Sequence, residues 1–234
     1  MTSSVIHRVT TLDLAVRPVV WPFAEERRAE IAAYFAEKQR ERPKIWNGRI
    51  LLGRDAVFTD GHLAATYFET DFASFLAWRD WGFPDPAVFN GFGMGALRTS
   101  DGAFVMGEMS HHTVNAGRIY FPSGTPDLDD VRDGALDIPG SVVREIEEET
   151  GLIPADYAAE ADWHCVVTGQ AIAMMQILNL DMPGEAARAR IEANLADQAE
   201  PELSAIHLVR DMSDLPPTMP RFVTAFIAQQ FAPR

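Results

Sequence analysis

The stretch "SVVREIEEETGLI", Ser141 to Ile153, places four glutamates in the five positions Glu145 to Glu149 amid apolar neighbours. At about 100° per residue, Glu145, Glu148 and Glu149 stand at i, i+3 and i+4 and fall within roughly 100° of arc on a helix. They form one carboxylate patch. Val143, Ile146 and Thr150 share a neighbouring arc suited to a core, Glu147 points away into water, and Gly151 is the expected residue just past the helix end. Like charges one turn apart oppose a helix by a few tenths of a kcal/mol, and three converging carboxylates oppose it more unless a cation neutralises them. Two readings follow. One is a solvated acidic face with Arg144 paired to Glu148; the other is a divalent cation site, for which oxygen-only ligands suit Mg²⁺ or Mn²⁺.

Around this segment the chain has 234 residues, 47% hydrophobic and 23% charged, enough for one large domain or a main domain with an annex. A net charge of −14 argues against a phosphate-backbone binder, which needs clustered Lys and Arg, so nucleic acid is not an expected partner. An acidic protein that handles anions usually needs a divalent cation between the two. A single cysteine, Cys165, excludes an intrachain disulfide framework. With no apolar block of signal-peptide length at the start and no long apolar run elsewhere, the expectation is a cytoplasmic protein without membrane insertion.

Along the chain, Ala24 to Arg42 is rich in helix formers and stops before Pro43. "NGRILLGRDAVFTDGHLAATYFET" alternates β-type runs with Asn-Gly and Asp-Gly turns and predicts a small antiparallel region. "DFASFLAWRDWGFPDP" predicts a short aromatic helix, and "NGFGMGALRTSDGAFVMGEMS" two strands joined at Ser100-Asp101-Gly102. A Gly-, Pro- and Asp-rich loop spans Pro122 to Gly140. After the glutamate helix come strands at Trp163–Thr168 and Ala171–Leu180, a helix from Glu185 to Ala199, a strand "SAIHLVRD" and a last helix from Met219 to Phe231. Interleaved strands and helices make the class α/β or α+β. The expected division is an N-terminal annex over 1–88 and a main domain over 89–234.

Arg144-Glu145-Ile146-Glu147-Glu148-Glu149-Thr150-Gly151-Leu152 resembles, position for position, the second half of the Nudix box, R-E-U-x-E-E-x-G-U with U bulky and apolar. Upstream, "GRIYFPSGTPD" is similar to the family's lead-in strand and turn, with Gly124 as the box glycine. Where the usual box has its glycine and a further glutamate, counting back from Arg144, this chain has Asp130 and Leu136; with Gly124 as the glycine, the connection is six residues longer. Asp127, Asp129, Asp130, Asp133 and Asp137 crowd into it. One of them can replace the glutamate by charge rather than register, while turn and cap roles are the commonest use of such residues.

The resemblance implies an α/β/α sandwich around a mixed sheet and Mg²⁺-dependent hydrolysis of a nucleoside diphosphate linked to another group. It implies Glu145, Glu148 and Glu149 as metal ligands with the Gly124 carbonyl, Arg144 orienting Glu145, and a late glutamate, Glu202 in "QAEPELSAIH", as general base. The annex with "NGRILL" resembles the branch that hydrolyses UDP-sugars, and the aspartate loop is expected to face substrate and disfavour triphosphates. The alternative is a Nudix-fold module that senses a nucleotide without hydrolysing it. For phosphate contacts the candidates are Arg118, Arg98 and His112, since guanidinium forks suit phosphate; adjacent His111 and His112 are as readily loop or core groups. Trp78 and Trp81 read as base-stacking residues or as core or homodimer contacts.

Overall fold

The structure, a computed structural model, describes residues 4–232. Two strands that the sequence reading left unassigned come first, β1 (Val5–Val9) and β2 (Thr11–Val16). Two helices follow, α1 (Pro22–Glu26) and α2 (Arg28–Glu41), parted at Arg27, and α2 ends just short of Pro43 as its lost N–H requires. A hairpin of β3 (Arg49–Thr59) and β4 (His62–Asp71) leads into α3 (Phe72–Asp80). Next come β5 (Val88–Arg98), β6 (Phe104–Met109), β7 (Ile119–Tyr120), β8 (Val131–Arg132), β9 (Ala135–Leu136) and α4 (Ile138–Thr150). The chain closes with β10 (Tyr157–Thr168), β11 (Ala171–Leu180), α5 (Gly184–Ala196), β12 (Leu203–Val209) and α6 (Arg221–Gln230).

The strands join into one mixed sheet in the order β1-β10-β11-β5-β3-β4-β2-β9-β8, with β6 carrying β12 and β7 off β5. The pairs β11–β5 and β2–β4 are parallel and the others antiparallel. The hairpin β3–β4 thus joins the larger sheet: Gly53 pairs with Phe89 across the 88/89 boundary, beside Arg54 with Val88. One apolar cluster draws on both sides of that boundary, from Val9 and Leu63 to Phe226; a second, around Trp21, Phe35, Phe68 and Trp78, lies wholly within 21–88. Cys165 is buried and free. No helix among the described residues is long and apolar enough to cross a membrane.

Strand β5 shows how the glutamate helix is seated. Alternate residues of a strand face opposite ways, so Gly93 and Gly95 share a face. A Cβ at Gly93 would lie 2.7 Å from Val142 and one at Gly95 2.6 Å from Ile146, so the missing side chains let α4 settle directly on the strand. Phe92, facing the other way, meets Phe222 of α6 at 5.5 Å between ring centroids. Helices α4 and α6 therefore cover opposite faces of β5, the layered arrangement expected of the fold class.

Candidate active site

Helix α4 begins where Asp137 accepts a hydrogen bond from the Gly140 N–H at 3.0 Å, and it ends at Gly151, whose φ of 70° is the left-handed conformation that favours glycine. The inner face is Ile138, Val142, Ile146 and Thr150, all buried; Val143 is only half-buried, because the helix is turned so that the buried arc centres nearer Val142 than expected. That rotation carries Glu145 and Glu149 inward as well. Both are buried, whereas Glu148 stands at the surface with its side chain 61% exposed and Glu147 is in water. The carboxylate patch therefore has two buried members and one exposed member.

Gly124 lies directly against this patch. A Cβ there would come within 2.5 Å of the carboxyl carbon of Glu145 and 3.0 Å of its Oε2, so the close approach requires glycine. The next residue back, Ser123, donates its N–H to Glu149 Oε1 at a long 3.4 Å. Arg144 Nη1 sits 2.8 Å from Glu145 Oε1 and 3.4 Å from Glu148 Oε2, while Nη2 donates to Asp130 Oδ1 at 3.0 Å. Asp130 is buried and accepts a second bond from the Asp127 N–H at 3.1 Å. It braces the arginine that contacts Glu145.

Burial pushes the Glu145 carboxyl up to about 7, with Arg144 opposing the rise and Glu148, Glu202 and Asp130 adding to it. For Glu149, burial first and then repulsion from Glu145 and Glu202 hold the carboxyl well above its ordinary value. Burial works against charge on Arg144 too, but Asp130, Glu145 and Glu148 more than restore it. Two buried carboxylates with so few hydrogen bonds suit a hard cation in donor chemistry. Their present arrangement does not enclose one: among the described residues, no three His, Cys, Asp or Glu side chains converge as a metal cage. The Arg144 guanidinium supplies the positive charge between Glu145 and Glu148.

The site opens into a cleft of about 1040 Å³ that runs from α4 to the strap 44–50 and to α3. Arg144, Glu145, Glu148, Gly124, Arg118, His112 and Glu202 all line it. Glu202 thus faces the cluster, whereas Glu200 is drawn off to Lys44 at 2.6 Å. Of the five loop aspartates only Asp127 lines the cleft. Asp130 braces Arg144, Asp137 caps α4, and Asp133 sits at φ 51° in the β8–β9 turn.

One expectation is corrected, and for the tryptophans and His111 one of the open alternatives is met. Arg98 does not line the cleft: it pairs with Glu160 at 2.6 Å and donates to Asn179 at 2.8 Å, because its place near the end of β5 turns it toward β10 and β11. Trp78 is fully buried and donates its indole N–H to the Asp85 carbonyl at 2.9 Å. Trp81 packs against Phe23 and Tyr34 with the Arg27 guanidinium 4.2 Å above its ring. Trp78 is a core group, and Trp81 is half-buried against the same core. His111 stays outside the cleft and lines a side groove, its ring edge-on to His112 at 5.6 Å.

Arg221 and Trp46, which the sequence reading passed over, also line the cleft. Among the described lysines and arginines, Arg118 and Arg221 are the two whose side chains make neither an ion pair nor a hydrogen bond with described residues. In an acidic chain whose other described lysines and arginines are committed, two guanidiniums in one cleft with no partner among the described residues are its anion-binding capacity there. No signal local to Arg221 marks it in sequence; Trp46, an aromatic residue in a polar segment between Pro43 and Gly48, could have been noticed.

Fold and site together define a mixed α/β protein with an acidic helix at the floor of a large cleft. No family model matches the chain, and no curated protein matches it. Solved structures match in part. RenU, a Nudix hydrolase from M. smegmatis, is 14% identical over 59% of this chain and 80% of its own, at a TM-score of 0.38. The MutT protein from Methanosarcina mazei Go1 is 17% identical over 61% of this chain and 92% of its own, also at 0.38. The Nudix domain of Shewanella oneidensis NrtR, solved with ADP ribose, is 15% identical over 60% of this chain and 85% of its own, at 0.40. These are proteins of the family that the Arg144–Leu152 motif resembles. With overlap so limited, the functional case rests on the residues themselves.

Proposed function

We propose that this chain is a Nudix-type pyrophosphohydrolase that uses Mg²⁺, or Mn²⁺ in its place, to hydrolyse a nucleoside diphosphate joined to another group, with nucleotide sugars the favoured class. The observation that carries the reading is the buried carboxylate of Glu145 beside Glu148 and Gly124 on the floor of a cleft that also holds Arg118 and Arg221, with the buried, hydrogen-bond-poor carboxylate of Glu149 one turn along the same helix, behind the cleft lining. Glu145, Glu148, Glu149 and the Gly124 carbonyl would hold the cation. Once bound, it neutralises adjacent phosphate charges and lowers the pKa of a coordinated water. Arg118, Arg221 and His112 hold the substrate's phosphates, and Arg144, braced by Asp130, fixes the orientation of Glu145. Glu202, which lines the same cleft, is the proton acceptor.

A second reading, a nucleotide-sensing module without hydrolysis, is favoured by the position of Arg144, which fills the space between Glu145 and Glu148. Phosphate release from nucleotide sugars, ADP-ribose, dinucleotides and coenzyme A derivatives, measured with Mg²⁺ or Mn²⁺ and a coupled phosphatase, separates the two. Turnover of any of these that depends on the cation supports the hydrolase. Binding of a nucleotide with no turnover across the panel supports the module.

A further inference from the structure

Trp46 is 77% exposed, in contrast to the buried Trp21, Trp78 and Trp163. A single exposed apolar residue is ordinary, but three features set this one apart. Its indole lies close to Gly48, where a Cβ would meet ring carbons at 2.8 and 3.0 Å, so the absence of a side chain there lets the ring sit against the strap while staying largely exposed. Its neighbours are tied down on both sides. Ile45 is buried and its carbonyl accepts from Gln39 at 3.1 Å, while Asn47 Oδ1 accepts from the Ala73 N–H at 2.7 Å and the Gly48 carbonyl from Phe72 at 2.9 Å. The ring also lines the same cleft as Glu145 and Glu148. The strap itself is fastened across that cleft by Arg42, which donates to the Val114 carbonyl at 2.8 Å, and by the Lys44–Glu200 pair.

We infer that Trp46 is a specificity residue, the platform on which the aromatic base of a nucleotide stacks while its phosphates reach toward Arg118 and the carboxylate helix. The inference rests on the hydrolase reading for the phosphate end and names the determinant at the other end. A largely exposed indole on a backbone segment tied down at both sides offers a π surface whose backbone needs no ordering on binding. The cleft is large enough for a nucleoside diphosphate carrying a further group.

The test is equilibrium binding of ADP, UDP and inorganic pyrophosphate in Mg²⁺ to the parent protein, Trp46→Ala and Trp46→Phe, with thermal unfolding as a control for folding. Base–aromatic stacking predicts that the tighter-binding of the two nucleotides loses about ten- to a hundredfold in affinity in Trp46→Ala. Trp46→Phe should stay within about threefold of the parent, and pyrophosphate should bind all three proteins equally. In the parent, that nucleotide should also shield tryptophan fluorescence from acrylamide. Nucleotide affinity unchanged in Trp46→Ala, an equal loss for pyrophosphate, or no nucleotide binding to the parent overturns the inference. If pyrophosphate binds none of the three proteins, the hydrolase reading falls, while the nucleotide ratio between parent and Trp46→Ala still decides the role of the ring.

Discussion

Replacing Gly124 by alanine puts a methyl carbon about 2.5 Å from the Glu145 carboxyl carbon and 3.0 Å from its Oε2. The φ of Gly124 is not in the left-handed region, so the backbone accepts alanine and the strain falls on the Glu145 side chain. To regain van der Waals contact the carboxylate must retreat by about 1 Å, away from a rotamer held by Arg144 at 2.8 Å. Leaving that rotamer and loosening the ion pair costs about 1–2 kcal/mol, which lowers the melting temperature by roughly 2–8 °C in a chain of this size. Function should suffer far more. A displacement of about 1 Å in a group that positions the reaction is worth on the order of a hundredfold in rate. The expected result is therefore a nearly native melting curve, a kcat/KM reduced about a hundredfold, and a diminished rise in melting temperature on adding Mg²⁺. The last measurement needs no substrate. Activity within threefold of the parent together with an unchanged Mg²⁺ response would refute the assignment of Gly124 to the metal site.

Glu148→Gln, at a largely exposed position, should leave unfolding unchanged and cost about a thousandfold in rate through loss of one ligand charge; Glu147→Gln is the control, and activity within tenfold for Glu148→Gln would remove Glu148 from the site. Asp130→Asn should lower unfolding free energy in urea by about 2 kcal/mol, since the partner Arg144 is 38% exposed and recovers part of its hydration; an unchanged midpoint would show that the pair is not a brace. The pH dependence of stability without divalent cation follows from the raised carboxyl of Glu145. A carboxyl raised in the folded state contributes stability that is complete below its unfolded value near 4.5 and lost as pH rises through about 7, so the cation-free protein should weaken by about 3 kcal/mol across that window. Saturating Mg²⁺ should flatten the decline, as should the double substitution Glu145→Gln, Glu149→Gln; a decline of equal size in parent and double variant would place its origin elsewhere.

What the sequence alone determined was what helix and turn chemistry write within a few residues. The polarity of α4, its end at Gly151, the stop of α2 before Pro43 and the turn through Gly102 all depend on neighbours one turn away, and all are where the residues predict them, although α4 begins at Ile138, inside the stretch expected as loop. So was the identity of the three glutamates that share a face. Which of them are buried was not, because the rotation of α4 is set by Gly93 and Gly95 on a distant strand. The same holds for the strands of the first sixteen residues, since β1 is a strand by virtue of pairing Val5 with Val167 and Val9 with Trp163. Five aspartates in one loop are equivalent in sequence; only the folded-back β8–β9 turn selects Asp130 to meet Arg144. Arg98 and Arg118 likewise look alike until Glu160 claims the first and leaves the second facing the cleft. Charge partners and exposed faces are decided by contacts between residues far apart in the chain, whose energies no local pattern records.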